Sequence, residues 1–403
     1  MDKEGKRAVM DTITYKIAEI GDVVGGGTPS TSNPDLWGGE IPWISPKDLT
    51  GYNSIYISHG ENFLTPKGLK SGTKLLPKDT VLFSSRAPIG YIAIASNPIC
   101  TNQGFKNIIC NKDLITPLFL YYYIKANLDY IKLFSTGATF PEISGAAMKK
   151  IKIQIPSLPI QQKIASILST YDTLIENNNR RIRLLEQMAE NLYKEWFAYH
   201  KIKELSKAVK LKEIISITRG LSYSSEEISC VDGNNLINLK NIQGYGGFRL
   251  DGTKKYNGKY KPEQIVKEGN LIMGVTDMTQ DRRTVGSVAL IPNVNVLSII
   301  SADLIKINSN IENTYLYAMF RYGNVSRYIA QFANGANVLH LRPKSILNIK
   351  VILPNQHLID SFVLKVKPMI HLINRLNTEI DLLTRQRDLL LPRLMSGKLE
   401  VKP

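Results

Sequence analysis

The chain of 403 residues contains itself twice, and this constrains its fold more than any single motif. Ser135-Thr136-Gly137-Ala138 returns 198 residues later as Ala333-Asn334-Gly335-Ala336. The same offset lays Ile151-Lys152-Ile153 over Ile349-Lys350-Val351, Pro156 over Pro354, and Leu184-Leu185 over Leu382-Leu383. Upstream it slips to 193 at Lys47…Tyr52 over Lys240…Tyr245, and to 194 at Glu19-Ile20 over Glu213-Ile214, so insertions sit in the front of each copy. A solenoid unit is ~20–50 residues long. A period near 198 is instead a duplicated domain with an appendage, which predicts a pseudo-twofold particle.

Each copy has two textures. The fronts, 15–158 and 204–354, are dense in short β-like runs (Thr80–Phe83, Tyr91–Ala95, Ile151–Ile155, Ser287–Ile291, Ile349–Leu353) punctuated by glycines. One helical segment, Leu118–Leu133, is echoed by Leu316–Phe332, so each front reads as an α+β domain. The rears, 159–203 and 355–403, are helical; residues 1–14 are a leader. In the first rear Ile164, Leu168, Tyr171, Ile175, Asn178, Ile182, Leu185, Ala189, Leu192 and Trp196 keep a 4-3-4-3 spacing. The second repeats it with Phe362, Val366, Met369, Ile373, Leu376, Ile380, Leu383, Arg387, Leu390 and Leu394. A heptad seam this long argues for a coiled coil. Asn178 and Arg387 interrupt it, fixing register at a small cost in stability. Pro368 predicts a kink or a late start of the second helix, and Gly397 a C-terminal stop. Pairing two equivalent modules makes the helices antiparallel, with one domain at each end. A helix of about 38 residues spans about 57 Å, or roughly 17 base-pair steps of duplex.

Composition narrows the partner. Hydrophobic residues at 43% and charged residues at 21% are those of a folded protein, not of a disordered basic tail. No run approaches the ~18 apolar residues of a membrane span, the first ten residues lack a signal core, and three cysteines make no disulfide scaffold. A cytoplasmic protein without membrane partners is expected. The net charge is +16, and +11 of it falls in the two fronts. Counterion release draws such a surface to double-stranded DNA, and polar residues interleaved with cations can read base edges. The candidate readers are Thr28, Ser45, Lys47, Ser85, Arg86, Asn102, Gln103 and Lys106 in the first front. In the second they are Arg219, Asn238, Lys240, Thr276, Arg282, Arg283 and Arg342. Each taken singly also fits a solvated loop. The helix-pairing candidates are Ile164, Leu168, Ile175, Ile182, Leu185, Leu192, Ile373, Ile380, Leu383 and Leu390.

Catalytic signatures are missing from the sequence. There is no Walker loop, no Gly-x-Ser-x-Gly elbow and no His/Cys set at metal-ligand spacing. Gly25-Gly26-Gly27 reads as a turn. Glu142 with Lys149-Lys150 could imitate a nuclease centre, but the second copy has His340 and Leu347-Asn348 there. The chain reads as a recognition protein, not an enzyme, with no metal or cofactor of its own.

These passages resemble a known family. Gly27-Thr28-Pro29-Ser30, Ile41-Pro42-Trp43-Ile44, Val81-Leu82-Phe83-Ser84-Ser85-Arg86-Ala87-Pro88-Ile89-Gly90, Pro156-Ser157-Leu158-Pro159-Ile160-Gln161-Gln162 and the closing Leu391-Pro392-Arg393-Leu394-Met395-Ser396-Gly397 are similar to the specificity subunit of type I restriction-modification systems. The second copy departs from the pattern at Asn355–Asp360 and at Val275-Thr276-Asp277. The resemblance implies two target recognition domains, each reading one half of a bipartite asymmetric site. It also implies spacer helices that set the distance and dock methyltransferase subunits, an expected two, with restriction subunits beside them. S-adenosylmethionine, ATP and Mg would belong to those partners. The alternative is a standalone structural or regulatory DNA-binding protein.

Overall fold

The computed structural model describes residues 11–198, 206–229 and 232–401. The chain divides into two compact units, Met1–Glu176 with Leu383–Pro403, and Asn177–Leu382.

In the first unit a two-stranded ribbon both opens and closes the globular part: Ile13–Lys16 runs antiparallel to Lys152–Ile155, with Ile13 opposite Ile155. Ile153 and Ile155 are buried while Lys152 and Gln154 face water, the alternation of a strand with one apolar face. The last two residues of the expected leader, Ile13 and Thr14, therefore belong to the fold. A five-stranded sheet follows in the order Gly21–Gly25, Lys106–Cys110, Val81–Phe83, Ile92–Ala95, Tyr56–Ile57. A three-stranded sheet places Trp37–Ile44 between Asn62–Leu64 and Cys100–Thr101. The second unit repeats the plan. Its ribbon pairs Ser206–Lys210 with Lys350–Pro354, and its larger sheets have four and five strands. The β-like runs read from sequence match strands to within a residue or two.

The helical segment expected over Leu118–Leu133 is two helices, Pro117–Ala126 and Leu128–Lys132. Thr116 caps the first by accepting from the Phe119 amide, and Pro117 fills the first turn, where no donor is needed. Asn127 ends it, its side chain donating to the Tyr123 carbonyl. In the second unit the break falls at Gly323-Asn324, with Asn324 left-handed, between Asn313–Tyr322 and Val325–Ala330.

Helix one spans Leu158–Tyr193, closing with a π turn over Lys194–Ala198; helix two spans Gln356–Met395. Residues 199–203 of the expected first helix lie outside the described residues. All twenty seam positions are buried or half-buried. In the first unit Ile164 and Leu168 share a core with Leu391, Leu394 and Met395. In the second, Ala189 and Tyr193 share one with Ile359, Phe362, Val366 and Ile370. Numbers rise along one helix as they fall along the other, so the paired stretches run antiparallel within each unit. Helix two begins at Gln356 and continues through Pro368, so the late start expected there does not occur. Pro368 lies on the exposed face, as does Leu364 four residues before it, whose carbonyl is the one a proline leaves without an amide donor. The helix stops where Gly397, at φ +68°, donates to the Leu394 carbonyl.

Candidate nucleic-acid interface

In the first unit the candidate readers gather around one turn, Thr101–Phe105. Its frame is the Asn102 side chain, which accepts from the Gly104 amide at 2.8 Å, while the Asn102 amide donates to Ile44 at the end of the Trp37–Ile44 strand. That bond brings Ser45 and Pro46 beside the turn. Gly26 lies so close that a Cβ there would overlap the Asn102 carbonyl oxygen. The glycine run thus lets two backbones meet, and it places Thr28 where its hydroxyl donates to Gln103. Lys106, at the other side of the turn, donates to Ser85 Oγ at 3.2 Å and to Glu142 Oε1 at 3.1 Å. The second oxygen of Glu142 takes Arg86 at 3.5 Å. Thr28, Arg86, Gln103 and Lys106 therefore form one cluster whose two cations share a single carboxylate.

Not every candidate faces outward. Ser85 is buried and its hydroxyl donates to the Gly104 carbonyl, so it holds the turn in place. Ser45 is half-buried and bonds Asp48 through both amide and hydroxyl at 2.7 Å. Lys47 is exposed but paired with Glu61 at 2.9 Å, a contact of little stabilising value at a wet surface. In the second unit Asn238 and Thr276, also expected to face DNA, are buried. Asn238 caps the Lys240 amide and donates to Gly252 at 2.7 Å. Thr276 lies in the ladder to Leu339-His340, and its carbonyl accepts from Thr284.

That ladder shows what the two copies share. In the first unit Glu142 bridges both Thr136 and Arg86; in the second His340 bridges both Asn334 and Thr276. A hairpin over 136–142, or 334–340, is thus pinned against the same strand end in each. Gly137 and Gly335 turn it at positive φ, where a side chain would strike the carbonyl three residues on. The frame is common, but Arg86 is replaced by Thr276, Glu142 by His340, and Lys106 by the buried Ile305.

The second unit carries its cations elsewhere. A cavity of about 190 Å³ is lined by Lys194, Tyr245, Arg282, Arg321, Arg327 and Ser287 among others. Arg327 stacks over the exposed Tyr245 ring at 5.8 Å, and the Tyr245 amide donates to the Arg283 carbonyl. Arg283 is exposed and paired with Asp281 at 2.9 Å. Arg219, Lys240 and Arg342 are exposed outside the cleft lining. Of these cleft residues the sequence candidates include Arg282 but not Lys194, Tyr245 or Arg327. The available signal was a lone aromatic within Gly244-Tyr245-Gly246-Gly247. Among the described residues no cluster of three or more His, Cys, Asp or Glu side chains could hold a metal ion, and no helix is long and apolar enough to cross a membrane.

Comparison with known proteins agrees with this plan. A family model described as the type I restriction modification DNA specificity domain matches residues 11–187. The specificity subunit of the type I restriction enzyme MjaIX from Methanocaldococcus jannaschii is 34% identical over 428 aligned positions, covering 96% of this chain and 93% of its own. The MjaVIII specificity subunit of the same organism is 22% identical, covering 100% and 96%. The crystal structure of a type I restriction-modification S subunit from M. genitalium shares the fold, with a TM-score of 0.65 at 15% identity over 98% of both chains. With one α+β domain written twice, a long helix after each copy, and likeness to relatives along nearly its whole length, this chain belongs to the family of type I restriction enzyme specificity subunits.

Proposed function

We propose that the chain reads DNA for a type I restriction-modification complex, each globular domain recognising one half of a bipartite site. The observation that carries this is the shared hairpin frame with exchanged chemistry. A duplicated scaffold that keeps its geometry while Arg86, Glu142 and Lys106 give way to Thr276, His340 and Ile305 suits two readers of different sequences. The helices, of 36 and 40 residues, act as the ruler between half-sites and as a docking surface. Leu184, Met188, Leu382 and Leu389 stand exposed beside the seam as contacts for methyltransferase subunits. Those subunits would hold S-adenosylmethionine, and restriction subunits ATP and Mg; this chain contributes recognition without catalysis, in the cytoplasm. A regulator lacking enzyme partners is disfavoured, because the relatives are named as subunits of restriction enzymes.

The test is methylome sequencing of cells carrying the chain with its cognate modification subunits. Exchanging residues 15–158 for a relative's domain changes one half-site and leaves the other intact. Changes in both halves, or methylation that ignores the exchange, would refute the reading.

A further inference from the structure

The 198-residue repeat allows the two units to be compared position by position where a helix meets a domain. In the first unit Asp172 of helix one is 6% exposed and accepts from Arg387 of helix two, itself 14% exposed. Its other oxygen accepts from the Tyr122 hydroxyl at 2.5 Å. The equivalent positions in the second unit are Ile370, Ala189 and, at the offset of 196 that lays Pro117–Ala126 over Asn313–Tyr322, Ala318, all buried in one apolar core. Every member of the polar triad is replaced by an apolar one.

The second unit has a key of its own. Arg321 of its domain pairs with Glu186 of helix one at 3.0 Å, flanked by the Tyr317 and Tyr322 rings. The equivalent positions in the first unit are Lys125, which lies over the Tyr121 ring as Arg321 lies over Tyr317, and Thr384, so both units keep the cation and only the second has the carboxylate. The helix ends differ in bulk as well. Helix one closes on Tyr193, Trp196 and Phe197, which pack around Phe362 with ring centroids 5.1–6.1 Å apart. At the same positions helix two offers Leu391, Leu394 and Met395, packed with Ile164.

We propose that these surfaces are keyed, so that helix one accepts helix two of this chain and rejects helix one of a second copy. Repeat symmetry would otherwise permit both pairings. In a like-with-like pair Asp172 would face Ala189, burying a carboxylate without its cation. Glu186 would still meet a cation, Lys125, so rejection rests on Asp172 and on bulk: three aromatic rings would enter a space shaped for Leu391, Leu394 and Met395. A buried charge stripped of its partner is among the costlier defects a core can carry, whereas the native pairing satisfies both features together.

A chain with a protease site between Ala198 and Ser206 is folded, cut, unfolded and refolded, and the pairs are counted by native mass spectrometry. Mixed pairs, of an N-terminal half with a C-terminal half, are expected to exceed pairs of two N-terminal halves by on the order of 100-fold or more. In the D172I/R387A chain, which copies the apolar solution of the second unit, that excess falls about tenfold or more. A statistical mixture from the unmodified sequence, failure to recover mixed pairs, or undiminished selectivity in D172I/R387A overturns the proposal. In the uncut chain R387A lowers the thermal midpoint and D172I/R387A restores it. An unrestored midpoint would show that the ion pair serves stability instead of partner choice.

Discussion

Arg387 interrupts an otherwise apolar seam, and its effect on stability depends on the carboxylate it meets. Removing the guanidinium leaves Asp172 buried without a cation, so Arg387→Ala is expected to cost about 3–5 kcal/mol in chemical denaturation. Asp277 makes a related point about pH. Burial raises its pKa, but bonds from Thr284 and Thr279 outweigh burial and hold it below the ordinary carboxylate value. A depressed folded-state pKa stabilises above the unfolded value and is lost as pH falls through the folded one. Asp277→Asn should therefore be less stable than the parent at pH 7 by about 1–2 kcal/mol, the gap closing as pH drops below ~4. Equal pH profiles would contradict this. Burial also pushes the Cys100 thiol up to about 11 and the Cys110 thiol up to about 12, so both should resist iodoacetamide at pH 8 until the chain unfolds, as peptide mapping can check. At this scale the sequence is half legible. Arg387 is visible as an interruption, but Asp172 sits one step beside the seam and reads as an ordinary polar residue until the helices are paired.

Among elements, the long helices are the most legible, because a 3.5-residue apolar period over about five heptads has few other readings. Every predicted seam residue is withdrawn from water, including Asn178. Its Nδ2 is buried without a hydrogen-bond partner among the described residues, while the matching position in helix two is the buried Leu376. Asn178→Leu should then raise stability by about 1–3 kcal/mol; a drop in the denaturation midpoint would mean that Asn178 has a partner. Two element readings failed. Pro368 suggested a kink or a late start, and the late start failed: the helix begins twelve residues earlier, at Gln356, and Pro368 lies on its exposed face. The helix after residue 117 looked continuous because Asn127 is tolerated inside helices, yet its side chain bonds back to Tyr123 and ends the run. The hairpins at 136–142 and 334–340 were legible only as repeat matches, since their role comes from the strand ends they are pinned to.

For the molecule as a whole, charge and duplication speak together. A basic surface gives attraction without sequence preference, so Arg282→Ala and Arg283→Ala should each weaken DNA binding across sequences. Each should also lower the slope of log affinity against log salt by about 1 if the arginine meets a phosphate. Titrations at several salt concentrations distinguish this from base reading, which would relax specificity at one position. A four-residue insertion in both helices lengthens each by about 6 Å, and under the ruler reading it widens the spacer while sparing both half-sites. The fold class, the duplication and the long helices were open to sequence reading. The cleft around Tyr245 was not, because Lys194, Arg282 and Arg327 come from three separate stretches that only folding assembles.

The two-stranded ribbons bear on how such a chain can change. Each globular domain begins and ends in one pair of adjacent strands, Ile13 opposite Ile155 and Ser206 opposite Pro354. Entry and exit therefore share a single doorway, and everything between can be lifted out at one seam of backbone. A recombination event with both breakpoints in the ribbon would hand the chain a new vocabulary in one step, leaving the seam residues of both helices untouched. Heredity could then treat the reader as a cartridge and the helices as its holder.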